Sequence, residues 1–278
     1  MPELPEVETT RRGIEPFLTG HTIQRVHVRN HRLRWPVSLP EHLSGSSVLS
    51  VSRRAKYLLI ETQAGALVVH LGMSGSLRVV SPDDEPRLHD HVDIEIQNGP
   101  WLRYNDPRRF GSFHFADHPS AEHWLLKSLG VEPLGNEFSG DYLFETSRNR
   151  RVAVKNFIMD GKIVVGVGNI YAAESLFQAG IRPGVAAHRV SRLAYRHLAA
   201  AIRQILANAI TVGGTTLRDF VGSDGQPGYF KQSLNVYGRQ DEACRVCDTT
   251  LKLQILGQRS TVYCPSCQRF SGWKTPVC

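Results

Sequence analysis

Short runs of β-branched and other apolar residues dominate the first 115 or so residues, after an amphipathic opening segment. The opening segment predicts a helix over about Pro5 to Phe17 that ends near Gly20. The apolar runs that follow are separated by Gly, Pro or Asn-Gly turns, and we interpret them as strands at residues 22–28, 57–60, 66–69, 77–80 and 92–96. Several short strands in succession are typical of a β-sandwich or barrel.

The pattern becomes helical from about Glu122 onward. Apolar positions in Val190 to Leu206 repeat at helical spacing, which predicts a helix that packs against a core. The polar stretch from Ser139 to Arg151 is predicted to lie at the surface. We therefore place a domain boundary near residues 116–135 and expect an α+β multidomain chain.

Composition adds a polyanionic partner to this picture. The 278 residues contain 33 Lys and Arg against 26 Asp and Glu, a net charge of +7. Such an excess favours nucleic acid, with an anionic membrane surface as the alternative. No apolar run is long enough to span a membrane, and the acidic start does not resemble a signal peptide. We expect a cytoplasmic protein.

Four of the five cysteines form two Cys-x-x-Cys pairs that are separated by sixteen residues: Cys244, Cys247, Cys264 and Cys267. This spacing predicts one Zn²⁺ held by four thiolates. A zinc ion with four protein ligands has no open position for substrate, so we expect the metal to be structural. The fifth cysteine, Cys278, is assigned no role.

The first residues carry a second chemical signal. Removal of Met1 would leave the secondary amine of Pro2 at the chain terminus, and an uncharged amine can attack an electrophilic carbon to form an iminium. Pro5 is tolerated in a first helical turn, so Glu3 and Glu6 are expected to face that nitrogen. The alternative is that both carboxylates only stabilise the helix N-terminus.

A glycine-rich segment, Gly161 to Glu174, precedes a helix-like run. It lacks the spacings of nucleotide-binding loops. A turn between two helices that binds a DNA phosphate through backbone N–H groups is one interpretation. A turn needed only for packing is the other.

Seven motifs in order, with the cysteine pairs, resemble the formamidopyrimidine-DNA glycosylase family over nearly the whole chain. They are PELPEVE at 2–8, RRAKY at 53–57, HLGMSG at 70–75, HDH at 89–91, DPRRFG at 106–111, VGVGNIY at 165–171 and QR at 258–259.

This resemblance implies an N-terminal catalytic β-sandwich with an opening helix at 1–120, a helix-two-turn-helix DNA-binding domain at 130–220 and a Cys₄ zinc finger at 235–270. It implies base excision repair of oxidised purines, 8-oxoguanine and formamidopyrimidines, in damaged double-stranded DNA. It further implies lyase activity at abasic sites by β,δ-elimination. We expect a monomer in the bacterial cytoplasm, associated with the nucleoid through DNA.

The family's catalytic residues fall on matching positions of this chain. Pro2 would be the nucleophile of the Schiff base and Glu3 the acid/base, with Glu6 in support. Lys56 would donate a proton in β-elimination, and Arg259 would act in δ-elimination. Without the resemblance, Lys56 would be interpreted as a solvated lysine at the start of a strand.

The family's DNA-binding residues match six further positions. Met73, Arg108 and Phe110 would fill the space left by the flipped nucleotide, with Arg108 pairing to the orphaned cytosine. His89, Arg151 and Asn169 would contact the DNA backbone. Taken alone, Met73 and Phe110 would be core residues, and His89 with His91 would suggest a metal site that lacks a third nearby ligand.

Residues 221–229 have the composition of a loop that closes over the base in the family, and Arg218 precedes them. Two alternatives remain open. One is an endonuclease VIII-like glycosylase for oxidised pyrimidines, from which residues 4–7 and the Met73/Arg108/Phe110 set depart. The other is a DNA-binding zinc protein that has lost the reaction.

Overall fold

The computed structural model describes residues 2–213 and 234–269. The described residues divide into two compact units. The first comprises the chain up to Ser128 with residues 210–213, and the second comprises Leu129–Ala209 with residues 234–269. The predictions for Met1, Arg218, the 221–229 loop and Cys278 lie outside the described residues.

The chain opens with α1 (Leu4–Leu18). Leu4, Val7, Ile14 and Leu18 recur at helical spacing and are buried against the first unit's core. Pro5 lies in the first turn, where its missing N–H has no intrahelical partner to lose. Gly20, with φ of 82°, turns the chain after the last residue of the helix. The predicted opening helix is confirmed.

Two antiparallel four-stranded sheets follow and share one apolar core. The first sheet has the order β1-β6-β7-β5, formed by Ile23–Val28, Asp90–Ile96, Trp101–Asn105 and Ser76–Val80. The second has the order β2-β3-β4-β8, formed by Val48–Arg54, Tyr57–Thr62, Gly65–His70 and Ser112–Ala116. All five predicted strands are present, and the expected β-sandwich with its opening helix is confirmed.

Residues 129–209 of the second unit are mainly helical. The helices are α2 (Gly140–Ser147), α3 (Val154–Ile158), α4 (Asn169–Gln178) and α5 (Arg192–Thr211), and the last two residues of α5 belong to the first unit. The helix predicted over Val190 to Leu206 corresponds to α5, which continues to Thr211. The predicted surface stretch contains α2, which Ser139 caps by accepting a hydrogen bond from Tyr142 N–H. Leu143 of α2 is buried, so this stretch also contributes to the core.

The finger consists of two cysteine turns and a hairpin, β9 (Lys252–Leu256) paired with β10 (Arg259–Tyr263). Glu174 of α4 anchors the segment that leads into it. Its carboxylate accepts hydrogen bonds from the backbone N–H groups of Asn235, Val236 and Tyr237 at 2.8–2.9 Å. A buried carboxylate thus satisfies three N–H groups of an irregular segment, which fixes that segment to α4. Within the described ranges, no helix is long and apolar enough to cross a membrane.

Candidate functional site

The N-terminal tip brings Pro2, Glu3 and Glu6 together. Glu3 is the N-cap of α1, and its backbone N–H donates to Glu6 Oε2 at 2.8 Å in a reciprocal capping box. Both carboxylates are only 2% exposed, and Pro2 is buried beside them. Glu3 and Glu6 therefore do stabilise the N-terminus of α1, as the alternative interpretation states. Their burial next to Pro2 is a further feature, which capping alone does not require.

Lys56 lies on the two-residue turn between β2 and β3, after Ala55 with φ of 56°. Its side chain is half-buried. Burial, together with the positive charges of Lys56 and Arg34, lowers the pKa of His70 to about 4. His70 Nδ1 accepts a hydrogen bond from Gly72 N–H at 3.0 Å, so the neutral ring carries its proton on Nε2. The lysine of this turn thus stands near a neutral imidazole.

Met73, Arg108 and Phe110 lie on two turns, residues 71–75 and 106–111, which we call the wedge turns. Met73 is 36% exposed and Phe110 is 45% exposed, so neither is a core residue. The Arg108 guanidinium lies 5.0 Å from the centroid of the Phe110 ring, a cation–π contact. An exposed apolar pair with an arginine can enter a base stack.

Asp106 holds the two wedge turns together, although the sequence did not single it out. Its carboxylate accepts from Ser74 Oγ at 2.7 Å, from Gly111 N–H at 2.8 Å and from Tyr104 Oη at 3.2 Å. Burial, followed by the Asp106 charge, raises the pKa of Tyr104, so its hydroxyl remains a donor. The buried Asp106 carboxylate therefore holds both wedge turns in place through hydrogen bonds.

Two glycines allow the wedge turns to approach each other. A Cβ on Gly72, where φ is 65°, would lie 2.4 Å from Gly111 N. A Cβ on Gly111 would lie 1.8 Å from Tyr104 Oη. Neither position can accept a side chain without movement of the backbone or of Tyr104. The glycines of the two motifs are thus the available sequence signal for this contact.

His89 has φ of 75°, a conformation that is uncommon outside glycine. His91 is buried and its Nε2 lies 2.9 Å from the backbone oxygen of Asp106. In the part of the chain that the structure describes, the only group of three or more ligand-type side chains is the cysteine cluster. The His89/His91 pair therefore lacks a third ligand there.

In the second unit, Asn169 begins α4 after the glycine N-cap Gly168. Lys155 of α3 is fully buried and donates to Asn169 Oδ1 at 2.6 Å. It also donates to Thr261 Oγ1 at 2.7 Å and to the Ser260 backbone oxygen at 3.1 Å, both in β10. Sequence reasoning missed this lysine, which links the start of α4 to the finger hairpin.

The side chains of Arg151 and Arg259 are exposed. Arg259 begins β10 directly after the Gly257-Gln258 turn, which has positive φ at both residues. A Cβ on Gly257 would lie 2.4 Å from Asn156 Nδ2, so this turn packs closely on α3. The structure thus joins Asn169 to the strand that carries Arg259, whereas Arg151 lies in the segment between α2 and α3.

The four paired cysteines converge, with all four sulfur atoms within 4.8 Å of one another. The Sγ–Sγ distances include 3.3 Å for Cys247–Cys267, 3.5 Å for Cys247–Cys264 and 3.9 Å for Cys244–Cys267. Tetrahedral Zn–S bonds of about 2.3 Å separate sulfurs by about 3.8 Å. Burial raises the pKa of the Cys264 thiol, so a bound cation is needed to hold four thiolates here.

Together, these features define a class of DNA-binding protein: a β-sandwich whose opening helix begins with Pro2 beside two buried carboxylates, and a four-thiol finger. The comparisons with known proteins identify it further. The formamidopyrimidine-DNA glycosylase N-terminal domain matches residues 1–113, the H2TH domain of the same enzyme matches 129–221, and the zinc finger found in FPG and IleRS matches 241–269.

Curated relatives match over nearly the full length. Formamidopyrimidine-DNA glycosylase of Pseudomonas paraeruginosa is 59% identical over 271 residues, 97% of this chain and 100% of that protein. The enzyme of Alkalilimnicola ehrlichii is 56% identical over 277 residues, with the same coverage. The chain belongs to the formamidopyrimidine-DNA glycosylase family, a family of base excision repair glycosylases.

Solved structures agree with this assignment. The MutM (Fpg) protein of Thermus thermophilus is 35% identical with a TM-score of 0.86, over 96% of this chain and 98% of that one. The Lactococcus lactis Fpg in complex with Fapy-dG containing DNA is 30% identical with a TM-score of 0.88, over 96% of this chain and 100% of that one. The resemblance that the motifs indicated is therefore confirmed at the level of family and fold.

Proposed function

We propose that this glycosylase removes oxidised purines, 8-oxoguanine and formamidopyrimidines, from double-stranded DNA and then cleaves the abasic strand. The observation that carries the proposal is the buried tip, in which the buried Pro2 is followed by Glu3 and Glu6, each 2% exposed. A carboxyl group in such a water-poor setting suits proton transfer. The Lactococcus relative's complex with Fapy-dG containing DNA supports the choice of lesion.

The first step requires removal of Met1, which converts Pro2 to a free secondary amine. Its nitrogen attacks C1′ of the damaged nucleotide, the bond from C1′ to the base breaks, and the base leaves with a proton. Glu3 supplies one proton, to the sugar ring oxygen or to the base, and the proton that the amine nitrogen releases goes to the other. The bond from C1′ to the ring oxygen breaks, and the lone pair of the Pro2 nitrogen completes the C1′=N bond of the iminium. Glu6, bonded to the Glu3 backbone N–H, holds this geometry.

The second step is elimination. The iminium acidifies the C2′ hydrogens, so their loss expels the 3′ phosphate, and a further loss expels the 5′ phosphate. We assign Lys56 to phosphate contact and proton donation in the first elimination and Arg259 to the second. Arg259 is exposed on the hairpin, as a phosphate-binding arginine must be.

The target nucleotide must leave the base stack before C1′ can be attacked, and glycosylases in general extrude their target in this way. We assign the replacement of the lost base to Met73 and Phe110 and the pairing with the orphaned cytosine to Arg108. Their exposure on the ordered wedge turns supports this assignment. His89, Arg151 and Asn169 would bind backbone phosphates, and an amide such as that of Asn169, which donates to Ser260 O, has a second hydrogen to donate.

One structural Zn²⁺ would be held by Cys244, Cys247, Cys264 and Cys267, whose sulfurs have the spacing of a tetrahedral site. It would stabilise the finger and take no part in the reaction. We also propose the three-domain division at 1–120, 130–220 and 235–270, a monomer, and a cytoplasmic location in contact with the nucleoid.

Borohydride trapping on a duplex with 8-oxoguanine opposite cytosine tests the proposal. The protein used must be shown by mass to begin at Pro2 and to contain zinc. We expect a covalent adduct whose cross-linked peptide maps to Pro2, together with a gap flanked by phosphates in the unreduced reaction.

A parallel duplex with thymine glycol serves as the competing substrate. Trapping on thymine glycol alone would replace the oxidised-purine assignment with the endonuclease VIII-like alternative. The absence of any adduct on either duplex would favour a DNA-binding protein without lyase activity.

A further inference from the structure

A cleft of about 340 Å³ opens beside the wedge turns in the first unit. Its lining includes Arg78, Arg87, Leu88, Asn105 and Arg108. Of these residues, only Arg108 matched a DNA contact of the family. The cleft therefore contains two arginines to which the proposed reaction gives no role.

The Arg87–Asp90 turn that forms one wall of the cleft is ordered by the buried carboxylate of Asp90. Asp90 Oδ2 accepts from Arg87 N–H at 2.8 Å, and Asp90 N–H donates to the Arg87 backbone oxygen at 3.1 Å. Asn105 Nδ2 donates to the Leu88 backbone oxygen at 3.2 Å. These bonds hold Leu88 with 81% of its surface exposed, so its exposure does not result from a loose loop.

The cleft is electropositive. Arg78 pairs with Asp90 at 2.9 Å, whereas neither Arg87 nor Arg108 forms an ion pair with any residue that the structure describes. Asp84, on the same loop, does not line the cleft, and its carboxylate accepts from Ser81 N–H. Two exposed guanidinium groups that face one concave site favour an oxyanion with several acceptor atoms, such as a phosphate.

We propose that this cleft binds a phosphodiester of the DNA strand opposite the lesion, with Arg87 as its principal contact. The inference rests on the proposed function, in which Arg108 reaches the orphaned base of that strand. Because Arg108 also lines the cleft, the nearest backbone phosphates belong to the same strand. The exposed Leu88 side chain would lie against a deoxyribose, the apolar part of the backbone.

The first experiment compares Arg87→Gln with the wild-type protein in binding to a duplex that contains a tetrahydrofuran abasic analogue. One cation–phosphate contact is lost. The slope of the logarithm of the association constant against the logarithm of the salt concentration should therefore become less negative by about one, and binding at 0.1 M salt should be about fivefold weaker. The matched control is Arg25→Gln, an exposed arginine on β1 at the other edge of the same sheet. An unchanged salt slope in Arg87→Gln, or an equal change in Arg25→Gln, would overturn the proposal.

The second experiment assigns the strand. Single methylphosphonates, which are uncharged, replace successive phosphodiesters opposite and around the analogue. We expect one position in the opposite strand to weaken wild-type binding about fivefold and to leave Arg87→Gln unaffected. The proposal would be contradicted if Arg87→Gln cancelled the effect of a methylphosphonate only in the lesion strand, or at no position.

Failure of this inference is distinguishable from failure of the proposed function. Borohydride trapping of the wild-type protein on 8-oxoguanine DNA reports the reaction itself and does not depend on Arg87. A normal Pro2 adduct with no Arg87 coupling would overturn only the cleft assignment, whereas the absence of an adduct would contradict the reaction.

Discussion

Asp106 in the first unit and Lys155 in the second are both fully buried, and each orders segments that carry candidate DNA-binding residues. Asp106 accepts hydrogen bonds from groups on the two wedge turns and on β7. Lys155 donates to oxygens on α4 and β10. The Asp106 carboxylate therefore accepts hydrogen bonds from several donors, whereas the Lys155 ammonium group donates hydrogen bonds to several acceptors.

The difference reflects which hydrogen-bonding groups, donors or acceptors, each region brings together. Tight turns leave N–H and O–H donors without partners, and a carboxylate can accept several of them. The second unit instead brings the start of α4 next to a strand 91 residues later in the chain, and both present oxygen atoms. An ammonium group has three hydrogens to donate, and Lys155 donates to oxygens of Asn169, Ser260 and Thr261.

Removal of the metal should have the largest effect, and it acts only on the second unit. Structural Zn²⁺ in small fingers contributes roughly 10 kcal/mol or more to folding, so chelation or Cys247→Ser should unfold the finger and release β10 from Lys155. Circular dichroism and binding to abasic DNA would follow the loss. Zn²⁺ should restore chelated protein and Mg²⁺ should not. Retention of DNA binding without zinc would contradict this dependence.

Asp106→Asn should have the next largest effect, on the first unit. The amide replaces one acceptor oxygen with a donor that faces other donors, so we expect a loss of about 3 kcal/mol in the free energy of unfolding. Loss of order in both wedge turns should also weaken binding to abasic DNA. Urea unfolding and fluorescence anisotropy would measure the two effects.

Asp117→Asn, an exposed aspartate that follows β8, is the matched control and should change neither quantity. If Asp106→Asn unfolded normally and bound DNA like the wild type, the carboxylate would not organise the wedge turns.

Lys155→Met should cost about 2 kcal/mol, because the oxygens of Asn169, Ser260 and Thr261 lose the hydrogen bonds of a buried donor while the side-chain volume is kept. Asn169 and the strand that carries Arg259 would lose their common support. We expect the second elimination to slow more than base removal, so the product containing only the β-elimination cut should accumulate. Gel analysis of the products measures this ratio.

Lys162→Met, at an exposed lysine in the same unit, is the control for Lys155→Met. Equal slowing of base removal and of both eliminations would indicate a general loss of stability rather than a positioning role for Lys155.

The sequence predicted the family, the opening helix and five strands, because these depend on local periodicity and on contiguous motifs. It did not predict β2, β7 or β8 of the sandwich, and in β7 the apolar pattern is interrupted by Arg103. Arg103 is nevertheless buried, because Asp93 on β6 pairs with it at 2.9 Å. The partner that accompanies Arg103 in the core lies on another strand, so the residues next to Arg103 in the sequence do not indicate that it is buried.

The supports of the candidate site were missed for a similar reason. Pro2, Glu3 and the four cysteines belong to motifs, whereas Asp106 and Lys155 act through partners that lie elsewhere in the sequence. Asp106 is only the first residue of a motif in the sequence, and the Lys155 partners Ser260 and Thr261 follow the hairpin turn. Only the folded chain shows that these charges are buried.

The smallest expected effect is a pH dependence of the first unit's stability that is caused by protonation of His70. Its neighbours include the charges of Lys56, Arg34 and Asp106, and burial with the two cations lowers its pKa from 6.5 to about 4. The unfolded chain therefore binds a proton near pH 6.5 that the folded chain does not bind until about pH 4. Stability should fall as pH drops through this window, by about 2 kcal/mol after allowance for partial exposure.

Other groups also titrate between pH 4 and 6.5, so the comparison of His70→Gln with the wild type isolates this contribution. The variant cannot accept the proton, so its stability should decline less on going from pH 7 to pH 4.5. Urea unfolding at both pH values measures the difference, with His21→Gln as the exposed control. Parallel pH profiles for His70→Gln and the wild type would mean that His70 is solvated. A neutral His70 imidazole near Asp106 would then no longer be a difference between the first unit and the surroundings of Lys155 in the second.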